Sequence, residues 1–284
     1  MKNFSRFLLL MLGFAGLAAL PAPALAQDPP KRAITQIAGD LYRFQNNAHF
    51  SVFLVTPEGV IATDPINAEA AQWLKDEIKT RFSQPIRYVV YSHDHADHVS
   101  GGEVFAGDGA VVIAHEVAKA DIIADAVPTA VPAITFTDNL TLTLGGKSVE
   151  LSFLGKSHSD NMIVMRFLDE RTLFTVDFIS VKRLPFRTFR DGFMPDLINA
   201  IDKVGEIDFD ILAPGHGALG TKADAADHGQ YVKDLKAEVE AAIAAGKSLE
   251  EMQASITLEK YADWGQYKEW RTENIEGMHR MLSQ

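Results

Sequence analysis

His93-Asp94-His95-Ala96-Asp97-His98 follows directly on the apolar run Arg87 through Tyr91, and its reading decides the rest of the chain. Four ligand-type side chains, His93, His95, Asp97 and His98, fall within six residues at the end of a predicted strand. Neutral imidazole and carboxylate both suit zinc and similar divalent metals. A tight turn at a strand end lets alternate side chains face two centres instead of one. Glycines at 101 and 102 let the chain bend closely before the next helix. One histidine in a loop would more ordinarily meet only water. Three histidines and an aspartate at this spacing point to a metal centre.

Working outward, three more ligand-type side chains stand at or just beyond predicted strand ends, where a rigid sheet can aim them. His158 lies in the turn Gly155-Lys156-Ser157-His158-Ser159-Asp160-Asn161. Asp177 closes the apolar run Thr172 to Val176, and His216 sits between glycines after Ile211-Leu212-Ala213. Singly these read as a turn histidine, a capping aspartate and a loop histidine. Beside the cluster they read as its missing ligands.

The flanking patterns are those of a layered α/β chain. Leu41 to Phe44, Phe50 to Val55 and Val60 to Asp64 alternate like strands, the last two joined by Pro57-Glu58-Gly59. Asn67 through Phe82 carries Ala71, Leu74, Ile78 and Phe82 at helical spacing. A strand is expected at 110–114, with a helix starting near His115. Leu140 to Leu144, Ser148 to Leu154, Met162 to Leu168 and Thr172 to Val176 read as strands parted by turn signals. Helix is expected over 195–204 and from Lys222 onward, where Tyr231, Leu235, Val239 and Ile243 share a face. Strand-rich halves each followed by helices predict sheets covered by helices on their outer sides.

Composition narrows the setting. Lys2 and Arg6 precede the apolar stretch Phe7 through Leu20, Pro21-Ala22-Pro23 breaks it, and Ala24-Leu25-Ala26 offers a cleavage site. Residues 1–26 are therefore expected to be a signal peptide, cut after Ala26, leaving residues 27–284 as one domain with a helical C-terminal segment. The apolar stretch is shorter than the roughly 20 residues of a span, so no membrane anchor is expected after cleavage. The expected location is the periplasm or outside the cell. The chain has 0 cysteines, which excludes disulfides, thiolate ligands and attachment of lipid to an N-terminal Cys. A net charge of -11 argues against nucleic acid or anionic membrane as a partner and leaves a small-molecule substrate. No Gly-x-Ser-x-Gly elbow offers a competing nucleophile. Oligomeric state cannot be read from the sequence.

Over nearly all of the mature chain the sequence resembles the metallo-β-lactamase superfamily, whose histidine motif stands here as His93-x-His95-x-Asp97-His98. The later ligands of that family match His158, Asp177 and His216 in order and context. The resemblance implies a four-layer αβ/βα sandwich with two metals in a cleft at one sheet edge. It implies one metal on His93, His95 and His158 and another on Asp97, His98 and His216, with Asp177 bridging. Zinc is the expected metal, with iron or manganese open, because a bridging carboxylate tolerates harder ions. Zinc lowers the pKa of a bound water from about 15.7 to about 7, so a metal-bound hydroxide would attack a carbonyl-centred bond. Asp97 would orient that nucleophile and pass its proton to the leaving group.

In the family, penicillin-degrading members usually carry Cys or Ser where this chain has Asp177. Members similar to hydroxyacylglutathione hydrolases and lactonases carry Asp. The reading favoured is an ester, thioester or lactone hydrolase. Alternatives are β-lactam hydrolysis, a mono-iron oxidoreductase similar to persulfide dioxygenases, and a non-catalytic metal-binding module. Asp64 is expected either to support a ligand histidine or to be a plain turn aspartate. His115 reads as a helix start, and His49, His228 and His279 are given no role. Lys182, Arg183, Arg187 and Arg190 form a basic group in an acidic chain. They read as a solvated loop or as a holder of a substrate carboxylate. Phe186, Phe189 and Phe193, between those cations, would line a pocket or pack against the cleft wall.

Overall fold

Strand alternation inside fully apolar runs shows how the layers form. In Gly59–Thr63, Ile61 belongs to one core while Val60 and Ala62 belong to another. In Ile86–Val90, Val90 and Val89 divide the same way, as do Ile113 and Val112 in Val111–His115. A strand buried on both faces needs a layer on each side. The computed structural model describes residues 29–189 and 192–283. The expected signal peptide and Arg190 lie outside the described residues.

Seven strands pair in chain order into a first sheet: β1 (Arg32–Ala38), β2 (Leu41–Asn46), β3 (His49–Thr56), β4 (Gly59–Thr63), β5 (Ile86–Val90), β6 (Val111–His115) and β7 (Ile134–Phe136). The pairs from β1 to β4 are antiparallel and those from β4 to β7 parallel. Six strands form a second sheet: β8 (Asn139–Leu144), β9 (Lys147–Phe153), β10 (Ile163–Phe167), β11 (Thr172–Val176), β12 (Ile211–Pro214) and β13 (Gly220–Thr221). Their spatial order is β13-β12-β11-β10-β9-β8, and only β11 with β12 is parallel.

Helices α1 (Ala68–Phe82), α2 (Ala96–Val99), α3 (Glu103–Ala106) and α4 (Glu116–Ala124) interleave with the first sheet. Helices α5 (Asp196–Glu206), α6 (Lys222–Ala244), α7 (Leu249–Ser255) and α8 (Tyr267–Leu282) follow the second. One core joins the inward faces of the two sheets (Val52, Leu54, Val90, Met165, Phe167) and continues to Ala200, Val232 and Ile275 of the C-terminal helices. The other joins Phe53, Val60 and Val112 to Leu74 and Ile78 of α1 and Ile122 of α4. The architecture is the α/β four-layer αβ/βα sandwich.

Local chemistry fixes the elements nearest the site. Asn67 caps α1 by accepting from the Ala70 N–H at 2.9 Å, so the expected helix start is displaced by one residue. His115 likewise precedes α4, its Nδ1 accepting from Val117 N–H at 3.3 Å. Thr221 and Asp224 form a reciprocal cap on α6. Gly101, at φ +89°, brings its backbone against Asn67 and Ala68, and a Cβ on Gly102 would collide with Tyr91 Oη. The first contact seats the cluster turn on the mouth of α1, and the second holds it against Tyr91 at the end of β5. β1, β7 and β13 were not expected from the sequence.

Candidate metal centre

The carboxyl ends of the central strands of both sheets open on one crevice, the usual place for a site in such sheets. β5 delivers Ser92 through His98, β11 delivers Asp177, and β12 delivers Gly215 and His216. His158 comes from the turn between β9 and β10, and the Phe50 N–H donates to Gly215 O at 2.8 Å, tying the two sheets together at this edge.

All seven sequence-derived ligand candidates, His93, His95, Asp97, His98, His158, Asp177 and His216, meet there. His93, His95 and His158 form one group whose ligand atoms lie within 4.8 Å of one another, and His93, His98 and Asp177 form a second. Asp177 spans the centre: Oδ2 lies 3.2 Å from His98 Nε2 and 3.6 Å from His158 Nε2, while Oδ1 lies 3.2 Å from His216 Nε2. Asp97 Oδ2 is 3.8 Å from His98 Nε2. A third group joins Asp97 and His216 to His49, to which the sequence assigns no role. His49 Nε2 lies 3.1 Å from Asp97 Oδ2. It opens β3, with no ligand-type neighbour in sequence to mark it. Only the sheet topology brings it in.

The atoms that face this centre are those a metal needs. His93 Nε2, His98 Nε2 and Asp177 Oδ1 are buried and make no hydrogen bond. Buried polar atoms in that state are costly unless something else binds them. Burial, and then His98, hold His93 well below the usual histidine range, leaving the neutral imidazole a metal requires. Burial opposes ionisation of Asp177, but His98, His158 and His216 outweigh it and hold the carboxyl well below the usual range. Burial also pushes His98 down, yet Asp177 and Asp64 prevail and raise it well above normal. Two carboxylates thus draw positive charge to this spot, a role a divalent cation fills. The donor set, oxygen and imidazole without thiolate, fits zinc, iron or manganese.

A second ring of contacts orients the ligands. Asp64, fully buried, accepts from Ser92 N–H at 2.8 Å and Ser92 Oγ–H at 2.7 Å, and Ser92 Oγ lies 2.8 Å from His93 Nδ1. With Nδ1 engaged, His93 presents Nε2 to the centre. Asp64 Oδ2 also lies 3.4 Å from His98 Nδ1, which is buried without a well-formed hydrogen bond, so the carboxylate acts on this second ligand through its charge. His216 Nδ1 is 2.9 Å from Ala48 O, which fixes its ring in the same manner. Asn161 donates to Asp94 Oδ1 at 2.8 Å and Asp121 Oδ2 at 3.0 Å, holding the His158 turn to the cluster turn. Neither Ser92 nor Asn161 stands out in the sequence, since neither is a ligand type.

The centre lies in the wall of a cavity of about 850 Å³. Phe186, Phe189 and Phe193 line it, which settles their place. Of the basic group, Arg183 lines the cavity, Lys182 is exposed, and Arg187 lies 3.7 Å from Glu273. His115 lies apart from the metal groups, its Nε2 at 2.7 Å from Thr137 O. His228 lines the cavity as well.

Known proteins are similar to this chain in sequence and in fold. The model of the metallo-beta-lactamase superfamily matches residues 67–216. A 2,4-dinitroanisole O-demethylase subunit alpha from Nocardioides sp. (strain JS1661) is 24% identical over 198 residues, 68% of this chain and 58% of its own. The aligned stretch therefore spans under two thirds of that relative's length. A metallo-beta-lactamase type 2 from Elizabethkingia meningoseptica is 27% identical over 182 residues, 61% of this chain and 70% of its own. Among solved structures, a metallo-beta-lactamase from Pontibacter korlensis superposes with a TM-score of 0.65 at 21% identity, covering 70% of this chain and 99% of that one. With the family model spanning more than half of its length and the fold matching, the chain belongs to the metallo-beta-lactamase superfamily.

Proposed function

We propose that this protein is an exported hydrolase that uses two divalent metal ions, zinc foremost, to cleave an ester, thioester or lactone. The observation that carries the reading is Asp177, with one oxygen toward His98 and His158 and the other toward His216. A carboxylate so placed can join two ligand sets. His93, His95 and His158 would hold one ion, and Asp97, His98 and His216 the other, with His49 beside the second set. When bound, such ions polarise a substrate carbonyl and lower the pKa of water.

The chain's own part is positioning and proton transfer. Burial pushes Asp97 up, but the hydrogen bond with His49 and the charge of His98 prevail and lower it to about 2. Asp97 is thus an anionic acceptor at neutral pH, with a half-exposed carboxylate at the cavity. It would accept the proton of the attacking water and return it to the leaving oxygen or sulfur. Phe186, Phe189 and Phe193 supply apolar walls for a small substrate. Export rests on the leader sequence of residues 1–26.

A β-lactam is the second reading, favoured by the Elizabethkingia relative's name. The carboxylate at position 177 favours the first. The test is a turnover panel on the purified mature chain loaded with zinc, iron or manganese, offering esters, a thioester, lactones, β-lactams and an aryl methyl ether. Ester, thioester or lactone cleavage that stops on chelation supports the proposal. β-Lactam cleavage alone, oxygen uptake with a single iron, or metal binding without turnover would each replace it.

A further inference from the structure

The loop that carries His216 is held from the opposite sheet. Arg43 of β2 is 6% exposed, and its Nη2 donates to Pro214 O at 2.7 Å and to Gly217 O at 2.9 Å. Those carbonyls bracket Gly215 and His216, so one nitrogen, with its two protons, closes the loop from both sides. The guanidinium lies over the ring of Phe50, 3.7 Å from the centroid, and that stacking fixes its plane. Nε is buried with no hydrogen-bond partner, and no carboxylate pairs with the cation among the described residues. Burial pulls the group from 12.5 down to about 10, so it stays charged at neutral pH. A buried cation without a counter-ion is costly. An apolar side chain would fill the same space without that cost, so what Arg43 adds is its grip on the two carbonyls.

The rest of the β2–β3 hairpin acts on the same loop. Phe50 N–H donates to Gly215 O at 2.8 Å, and Ala48 O accepts from His216 Nδ1 at 2.9 Å. Gly215 N–H donates in turn to Val176 O at 2.8 Å, next to Asp177. His216 itself stands between β12 and β13, outside any regular element, and Gly217 after it lies in the left-handed region at φ +91°. Its imidazole is therefore aimed by contacts that arrive from residues 43–50. His49, the first residue of β3, meets Asp97 at 3.1 Å. Two of the three ligands assigned to the second ion thus touch this hairpin. The first set is oriented from elsewhere: Ser92 turns His93, and Asn161 holds the turn of His158. The hairpin also precedes residues 67–216, the stretch matched by the superfamily model.

We propose that Arg43 is a positioning residue for the second metal ion, the one assigned to Asp97, His98 and His216. By clamping Pro214 and Gly217 it holds His216 ready to bind. Without the clamp, ordering the loop becomes a cost of binding that ion, and its affinity falls. The ion of His93, His95 and His158 keeps its own supports and stays. The inference rests on the two-metal reading of the centre. It goes beyond that reading by making the two sites separable through a residue that is not itself a ligand.

The experiment loads the purified protein, residues 27–284, with zinc and titrates it with a competing chelator to resolve two steps of release. His216→Ala marks the step that belongs to the second ion. Arg43→Met is expected to weaken that step by about 10- to 100-fold, the usual cost of losing a group that orients a ligand, and to leave the other step within about 2-fold. Arg43→Lys should recover much of the loss, since an ammonium can donate to both carbonyls. Phe50→Leu removes the ring under the guanidinium and should cost about 2- to 5-fold at the same step, which decides the question if Arg43→Met does not fold. A purely structural role would lower the melting temperature of the metal-free protein without separating the two steps. Unchanged affinities in the variants, or equal weakening of both steps, overturns the positioning role. A single equivalent of zinc in the wild type overturns the two-metal reading itself, and the assignment of Arg43 to a second site with it.

Discussion

The cavity has two unlike walls. On one, His95, Asp97, His158, Asp177 and His216 line the cavity with His93 and His98 buried against them, delivered by the ends of β5, β11 and β12 and the turn before β10. On the other, Phe178, Phe186, Phe189 and Phe193 bring aromatic rings, Arg183 stacks on Trp270 of α8, and α6 brings one buried histidine, His228. The seven ligands and the described part of the loop after Asp177 both lie within the stretch shared with the superfamily, residues 67–216, while α6 and α8 fall outside it. The difference separates two jobs. Charge and ligand type fix the chemistry, and packing of the later helices shapes what reaches it.

Breaking the metal wall should have the largest effect. Asp177→Ala or His98→Ala is expected to lower turnover well beyond the roughly 100-fold that loss of a supporting partner costs, with an unchanged far-ultraviolet circular dichroism spectrum. Full activity in either variant would remove the contrast between the walls. Damage to the support is next. Ser92→Ala or Asp64→Asn should weaken metal affinity by about 10- to 100-fold, read by competition with a chelator, because His93 and His98 lose their orienting contacts.

The opposite wall offers a stability readout. Burial pushes His228 down to about 4, against the usual 6.5. Because the folded value is the lower one, the contribution is fully present above pH 6.5. It is lost as pH falls toward about 4, where the unfolded chain binds the extra proton. The difference is worth roughly 3 kcal/mol. Urea unfolding at pH 7 and pH 4 should therefore show wild type losing roughly that much more stability than His228→Phe. Equal losses would mean that His228 is not held neutral by its surroundings. The smallest effect is expected at His49. His49→Phe removes one hydrogen bond to Asp97 and should cost about 2- to 10-fold in kcat. It should also move the acid limb of the pH profile upward, since His49 helps hold Asp97 low.

The two walls also differ in how far they are legible in the sequence. His93, His95, Asp97 and His98 announce themselves because a plain polar loop seldom gathers four ligand types into six residues. His158, Asp177 and His216 follow because each stands where an apolar run gives way to a turn. Asn67 through Phe82 reads as a helix from its spacing, and its cap proves to be Asn67. β7, three residues with two of them exposed, carries no period to detect, and β13 has only two residues. His49 and His228 stay hidden for a common reason. Each acts through a partner far along the chain, Asp97 at 48 residues and Ser180 at 48 residues, and no local pattern encodes such a contact. Among the four cations after Asp177, composition cannot separate Arg183 from Lys182 and Arg187. The stacking surface of Trp270 does so.

The central claim is that these imidazoles and carboxylates hold a pair of metal ions. Elemental analysis of the purified protein, residues 27–284, run in parallel on Asp177→Ala, tests it most directly. Two equivalents of divalent metal per chain, falling to one or fewer in the variant, is the result expected. A single equivalent in the wild type, or two retained without Asp177, would contradict it.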